Sequence, residues 1–85
     1  MIDQERIRVL CVDDHPFMRE GVATVIDSQP DMQVVGQASS GHEAIECFRK
    51  YMPDVIIMGL RLPDMSGIDV MVAIRENFPE ARYPL

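Results

Sequence analysis

The chain has 85 residues, with 14 acidic and 8 basic side chains and a formal net charge of −6 at pH 7. Its composition, 47% hydrophobic and 26% charged, is that of one small folded domain rather than a disordered segment. The acidic balance and scattered basic residues argue against nucleic-acid binding, because phosphate contacts need clustered lysine and arginine. With no apolar run near the ~20 residues that span a bilayer and no leader pattern, we expect a cytoplasmic protein without membrane contact.

The first half of the chain alternates between strand and helix patterns. Arg6 to Val12 is an apolar run that predicts a strand, and it leads directly into the acidic pair Asp13-Asp14. Pro16 suits the first turn of a helix, where its missing N–H costs nothing. The apolar residues after it recur at helical spacing: Met18, Val22, Val25 and Ile26. Residues 28–31 break this helix, and Met32 to Ala38 predicts a second strand.

A capping box predicts the start of a second helix. The Ser40 hydroxyl and the Glu43 carboxylate would satisfy N–H groups of the first turn. The apolar face that follows consists of Ala44, Ile45, Phe48 and Tyr51. Pro53 is expected to end the helix, and Asp54 to Met58 is a continuous apolar run, typical of a strand covered on both faces of a parallel sheet.

A third helix follows a loop at residues 60–65. Ser66 and Asp69 fit another capping box, and Pro79 is expected to end the helix. Its buried stripe would be Val70, Met71, Ile74 and Phe78. The order β-α-β-α-β-α, joined by right-handed crossovers, gives an α/β fold with a parallel sheet and helices on both faces.

The acidic pair is the first candidate for chemistry. Parallel α/β sheets bind ligands outside the carboxyl ends of their strands, and Asp13 and Asp14 lie at such an end. Adjacent carboxylates are suited to a hard divalent cation such as Mg²⁺, which would relieve their mutual repulsion. The alternative is that one of them only caps the helix that begins near Pro16.

Four segments together resemble the receiver domain of bacterial response regulators. They are residues 9–16 (VLCVDDHP), 19–21 (REG), 53–58 (PDVIIM) and 60–67 (LRLPDMSG). The Asp-Asp-His-Pro sequence resembles the NarL/LuxR-type (FixJ-like) transcription regulators. The resemblance extends to Arg82 and implies a flavodoxin-like fold with strand order 2-1-3.

The resemblance also implies a site. In that family an Asp after the third strand accepts a phosphoryl group from a histidine kinase, with Mg²⁺ held by the acidic pair, the acceptor and one backbone carbonyl. By motif, Asp13 and Asp14 are the acidic pair and the carbonyl belongs to Arg61. The acceptor position is Gly59, which has no side chain to attack phosphorus or bind metal. We therefore expect weak or absent Mg²⁺ binding and no phosphorylation; Asp64, the nearest acid, lies in the loop.

The family continues with further strands, helices and a helix-turn-helix output domain that this sequence does not contain. We thus expect residues 1–85 to form one partial receiver domain of three strands and three helices. Its third strand would be an apolar edge, and one face of its first helix would be uncovered. Self-association, or pairing with an intact receiver, is the expected consequence.

Three functions follow as hypotheses. The first is an acceptor-less receiver module of a two-component transcription regulator, with a cognate sensor histidine kinase as the family partner and no enzymatic activity of its own. The second is an interaction module that acts without phosphorylation. The third, an Mg²⁺-dependent phosphatase using Asp13 or Asp14, has strand-end carboxylates but lacks Asp-x-Asp spacing and a partner lysine. His15 is interpreted as a residue at the start of the first helix, and His42 as a solvated first-turn residue.

Overall fold

The structure, a computed structural model, describes residues 6–59 and 61–78. Its elements follow the predicted order: β1 (Ile7–Val12), α1 (Pro16–Asp27), β2 (Met32–Ala38), α2 (Gly41–Tyr51), β3 (Val55–Met58) and α3 (Gly67–Asn77). The predicted strand starts at Arg6 and Asp54 were each one residue early. The predicted helix end at Pro79 and the residues after it lie outside the described part of the chain. Within that part, no helix has the length and apolar character needed to cross a membrane.

The three strands form one parallel sheet in the order β2-β1-β3, as expected from the sequence. The central strand β1 pairs with β3 from Val9 opposite Val55 to Val12 opposite Met58. Because both strands end at the same level, the residues that follow them, Asp13 and Gly59, emerge side by side. The register therefore brings the acidic pair and the acceptor position to one edge of the sheet.

Helices cover both faces of the sheet, because successive side chains of β1 point to opposite sides. On one face Leu10 and Val12 pack with residues of α2 and α3. The buried members of this larger core are Leu10, Val12, Ala38, Ala44, Phe48, Val70 and Ile74. On the other face Val9 and Cys11 pack with Ala23 of α1. The second core is smaller because α1 alone covers that face in the described structure.

The apolar stripe of α1 is only partly buried. Val22 and Ile26 pack against the core around Ala23, but Met18 is 59% and Val25 61% exposed. Phe17, next to this stripe, is 94% exposed. The helix is amphipathic, as the sequence pattern predicts, but its buried face is centred on Ala23 rather than on Met18 and Val25. An uncovered apolar surface on α1, expected from the sequence, is present among the described residues.

The strand β3 is covered only in part on each face, less than its continuous apolar run predicts: Ile56 and Met58 pack against the larger core and Val55 against the smaller one. Ile57 is 38% exposed, and the other residues of the strand are half-buried. In the described part of the chain β3 pairs only with β1 and is an edge strand.

The helix starts follow the predicted caps with one difference. The Ser40 hydroxyl accepts a hydrogen bond from the Glu43 N–H (3.1 Å), and the Ser66 hydroxyl accepts one from the Asp69 N–H (3.1 Å). The Glu43 carboxylate, however, accepts from the N–H and hydroxyl of Ser39 rather than from the Ser40 N–H. The partner of the Glu43 carboxylate is thus one residue earlier than the capping box predicts, and this contact holds Ser39 of the β2–α2 connection against α2.

The second helix ends at Tyr51, two residues before Pro53, through a left-handed residue. Met52 has φ = 46°, and its N–H donates to the Phe48 carbonyl (2.8 Å). The Met52 carbonyl accepts a hydrogen bond from the Arg8 guanidinium (2.9 Å). A long-range contact from β1 therefore stabilises a backbone conformation that costs about 1–3 kcal/mol for a non-glycine residue.

Candidate functional site

The two carboxylates of the acidic pair lie together at the end of β1. Asp13 is half-buried and Asp14 is exposed. One ligand atom from each of Asp13, Asp14 and His15 lies within 4.8 Å of the others. The strand carries the pair out of the core, and the Asp13 N–H stays attached to the sheet through the Ala38 carbonyl (3.0 Å). The predicted clustering of Asp13 and Asp14 is present in the structure.

His15 is the N-cap residue of α1, and its side chain makes no capping hydrogen bond but contacts the acidic pair. Its Nδ1 lies 2.9 Å from Asp13 Oδ1 and 3.0 Å from Asp14 Oδ1. The hydrogen bond to Asp13 and the charge of Asp14 raise the pKa of His15. The hydrogen bonds from the His15 N–H and ring lower the pKa of Asp13, which keeps it ionised. The sequence interpretation of His15 as a helix-start residue was correct but missed this contact with both carboxylates.

Arg19 was part of a segment that carried the family resemblance, but the sequence reasoning did not identify it as a site residue. Its Nη1 donates to the Asp13 backbone carbonyl (2.8 Å), and its Nε donates to Gln37 Oε1 (3.2 Å). The guanidinium therefore holds the backbone of the acidic pair between α1 and β2. The signal available in the sequence was the position of Arg19 in the first turn of α1. Helix side chains tilt toward the N-terminus, so a long side chain there can reach back to the end of β1.

Gly59 stands directly against the acidic pair. Its N–H donates to the Val12 carbonyl (2.9 Å), so β3 keeps its pairing up to this residue. A Cβ placed on Gly59 would lie 3.6 Å from Asp13 Oδ2 and 3.8 Å from the Val12 carbonyl oxygen. These are ordinary contact distances, and no described glycine has a positive φ. The backbone therefore does not require glycine here, and a side chain at position 59 would point to the site.

Arg61 lies in the β3–α3 loop, two residues beyond Gly59. Covalent geometry limits the distance between their Cα atoms to about 7 Å. Arg61 forms an antiparallel bridge with Ser66, and inside it the Leu62 N–H donates to the Met65 carbonyl (3.2 Å). The backbone carbonyl predicted to bind metal thus belongs to a short closed loop at the same edge of the sheet.

Asp64, the nearest acid to Gly59 in the loop, contacts α2 instead of the acceptor position. Its Oδ1 accepts from the Gly41 N–H (2.7 Å), and its Oδ2 accepts from the His42 N–H (2.9 Å) and contacts His42 Nδ1. His42 lies in the first turn of α2 with its side chain 77% exposed, as interpreted from the sequence, and its ring additionally contacts Asp64. No local pattern indicated this contact, because the residues are 22 and 23 positions apart.

The contact of Asp64 predicts a pH dependence of stability. Hydrogen bonds from the Gly41 and His42 N–H groups lower the pKa of Asp64 to about 2 from an ordinary value of 3.8. The ionised carboxylate is favoured in the folded state, so its contribution is complete above pH 3.8 and is lost as the pH falls through about 2. Asp64→Asn should therefore lower the thermal unfolding midpoint at pH 5, and the difference from the parent chain should shrink between pH 4 and pH 2. Equal differences at pH 5 and pH 2 would contradict this.

The donor set is chemically suited to a hard cation. Carboxylate oxygens and a backbone carbonyl are the ligands that Mg²⁺ takes in proteins, usually with several waters. Asp13 and Asp14 supply two such oxygens at one place, and a cation there would displace the imidazole contact of His15. Without a carboxylate at Gly59 the protein offers fewer charged ligands than a complete site of this kind would have.

The fold and the strand-end acids define a receiver domain, and the family comparison agrees. Residues 9–83 match the model of the response regulator receiver domain. The chain belongs to this family.

Among curated relatives, the nitrate/nitrite response regulator protein NarL of Escherichia coli is 41% identical over 91% of this chain and 36% of its own length. Response regulator protein VraR of Staphylococcus aureus is 38% identical over 89% of the chain and 36% of its length. Among solved structures, the receiver domain of NarL from Mycobacterium tuberculosis has a TM-score of 0.86 at 37% identity, covering 93% of this chain and 64% of that one. The chain spans little more than a third of these curated relatives.

Proposed function

We propose that this chain is a signal-receiving module of a two-component transcription regulator that no longer accepts a phosphoryl group. The observation that carries the proposal is Gly59, which occupies the strand end facing Asp13 where the reaction needs a nucleophile. Glycine offers neither an attacking oxygen nor a metal ligand. Asp64, the nearest acid in the loop, is engaged with Gly41 and His42 and does not replace it.

The proposal includes a residual Mg²⁺ site formed by Asp13, Asp14 and the backbone carbonyl of Arg61. When bound there, the ion would neutralise the two carboxylates and support charge on a neighbouring phosphoryl group. Arg19 holds the backbone of Asp13, and the His15 ring contacts both carboxylates in the absence of metal. We expect weak binding, because only two carboxylates contribute.

The receiver family implies a sensor histidine kinase as the physiological partner. Transcription regulation is the role that one curated relative carries in its name, the transcriptional regulatory protein DegU of Brevibacillus brevis. We propose the same context here, without enzymatic activity in the module itself. Self-association, or pairing with a complete receiver, stays a prediction; the exposed side chains of Phe17, Met18 and Val25 on α1 support it.

Phosphorylation chemistry gives a direct test. Incubation of the chain with Mg²⁺ and acetyl phosphate should leave its intact mass unchanged, because no carboxylate occupies position 59. An intact receiver domain treated in parallel serves as the positive control and should gain one phosphoryl group. An acid-labile mass increase of one phosphoryl group on this chain would contradict the proposal, and peptide mapping would then identify the acceptor.

A further inference from the structure

We propose that Asp64 is a positioning residue: its carboxylate fixes the β3–α3 loop, and with it the Arg61 backbone carbonyl, against the N-terminus of α2. This inference rests on the proposed Mg²⁺ site, to which Arg61 contributes a carbonyl, and extends it to a residue outside the ligand set.

The first observation is the bidentate contact between Asp64 and α2. Its two carboxylate oxygens accept the Gly41 N–H (2.7 Å) and the His42 N–H (2.9 Å), and the second oxygen also contacts the His42 ring. Hydrogen bonds to an ionised acceptor are about twice as strong as neutral ones, and a negative charge is favoured at a helix N-terminus. One side chain thus joins two loops at the same edge of the sheet.

The second observation is the close approach of the two loops at Gly41. A Cβ on Gly41 would overlap the Met65 side chain, with Sδ at 2.7 Å, and would lie 3.1 Å from Val70 Cγ2. The absence of a side chain at Gly41 is therefore what lets Met65 pack there. Apolar packing by Met65 and hydrogen bonding by Asp64 act on the same contact between α2 and the loop.

The third observation is that the loop is closed on itself. The Arg61–Ser66 bridge and the hydrogen bond from Leu62 to Met65 join its two ends. Asp64 lies between these paired residues, so a shift of Asp64 is transmitted to Arg61. The position of the Arg61 carbonyl consequently depends on the contact with α2 as well as on β3.

The same stretch of backbone also holds the acidic pair. The Asp13 N–H donates to the carbonyl of Ala38, the last residue of β2, and only Ser39 and Ser40 separate Ala38 from Gly41. The loop that carries Arg61 and the residue Asp13 are therefore both attached to the β2–α2 connection. This common attachment links the two parts of the proposed metal site through the backbone.

The test compares Asp64→Ala and Asp64→Asn with the parent chain by ¹⁵N NMR, first without metal and then during a Mg²⁺ titration. In Asp64→Ala we expect faster amide exchange at Leu62 and shifted amide signals at Arg61 and Ser66. We also expect Mg²⁺ affinity to fall about tenfold, as is typical when a group that orients a metal ligand is removed. Asp64→Asn keeps one carbonyl acceptor and should restore part of both effects.

Two matched variants separate positioning from stability and charge. Ser28→Ala removes a hydroxyl that donates to the Val25 carbonyl at the C-terminal end of α1, away from the loop and the acidic pair, so it should lower the unfolding midpoint and leave the loop amides and Mg²⁺ affinity unchanged. Asp69→Asn removes one negative charge from the first turn of α3 without removing a contact to α2. It measures how far charge alone weakens Mg²⁺ binding.

The outcomes distinguish this inference from the proposed function. Unchanged loop amides in metal-free Asp64→Ala would overturn the inference, and so would an Mg²⁺ affinity no weaker than that of Asp69→Asn. If the parent chain binds no Mg²⁺, the proposed metal site fails, and the metal-free loop amides alone decide whether Asp64 fixes the loop. If Asp64→Ala does not fold, the loop amide signals and the Mg²⁺ affinity of Asp64→Asn are compared with those of Asp69→Asn. Equal values in the two asparagine variants would then overturn the inference.

Discussion

Replacing Gly59 with aspartate is expected to tighten Mg²⁺ binding by about tenfold or more, which corresponds to ~1.4 kcal/mol. The new Cβ would lie 3.6 Å from Asp13 Oδ2, so the added carboxylate joins the existing pair without a backbone change. Without metal, the third negative charge should lower the thermal unfolding midpoint through repulsion, and Mg²⁺ should reverse this loss. Isothermal titration calorimetry and thermal unfolding at several Mg²⁺ concentrations measure both effects.

The matched control is Gly59→Asn, which has nearly the same volume and no charge. It should show neither the gain in Mg²⁺ affinity nor the metal-dependent recovery of stability. Removal of Asp13 in the Gly59→Asp background should abolish the gain. Equal Mg²⁺ affinities for the aspartate and asparagine variants would show that position 59 does not face the metal site.

Phe48→Ala should destabilise the fold by about 3–5 kcal/mol and leave little folded protein. Phe48 is 1% exposed and lies in the larger core between α2, α3 and the sheet. Its ring centroid is 5.2 Å from that of Phe78, so the truncation also removes an aromatic contact between α2 and the residue that follows α3. Urea unfolding followed by circular dichroism at 25 °C measures the loss.

Phe17→Ala is the matched control for this core substitution, because the same atoms are removed from a side chain that is 94% exposed. Its effect should stay within about 0.5 kcal/mol. Phe48→Leu, which keeps most of the buried volume, should retain a measurable transition if the alanine variant is unfolded. A similar loss of stability in the two phenylalanine-to-alanine variants would contradict the assignment of the core.

Local patterns in the sequence were sufficient for the elements and their order. Apolar runs, helical spacing and the Ser40 and Ser66 caps are properties of neighbouring residues, and the elements they predicted are present within one or two residues. The strand order 2-1-3 came from the resemblance to receiver domains rather than from spacing. It was correct because the chain belongs to that family.

The extent of burial was less predictable. One uncovered face of α1 was expected, but only the structure shows that Met18 and Val25 are among its exposed residues, and β3 is covered less than its apolar sequence suggests. Hydrophobic spacing identifies a face of an element, but the neighbouring elements decide how much of that face is covered. The sequence of one element does not show which other elements will pack against it.

The sequence by itself determined which residues stand at the strand ends: two carboxylates after β1 and a glycine after β3, because those positions follow from the strand limits. Only the tertiary structure decided how the side chains around them are used. Asp64 contacts the start of α2, and Arg19 donates a hydrogen bond to Gln37 of β2. Contacts of this kind form between chain segments that the sheet and the helix crossovers bring together, so no pattern of neighbouring residues could specify them.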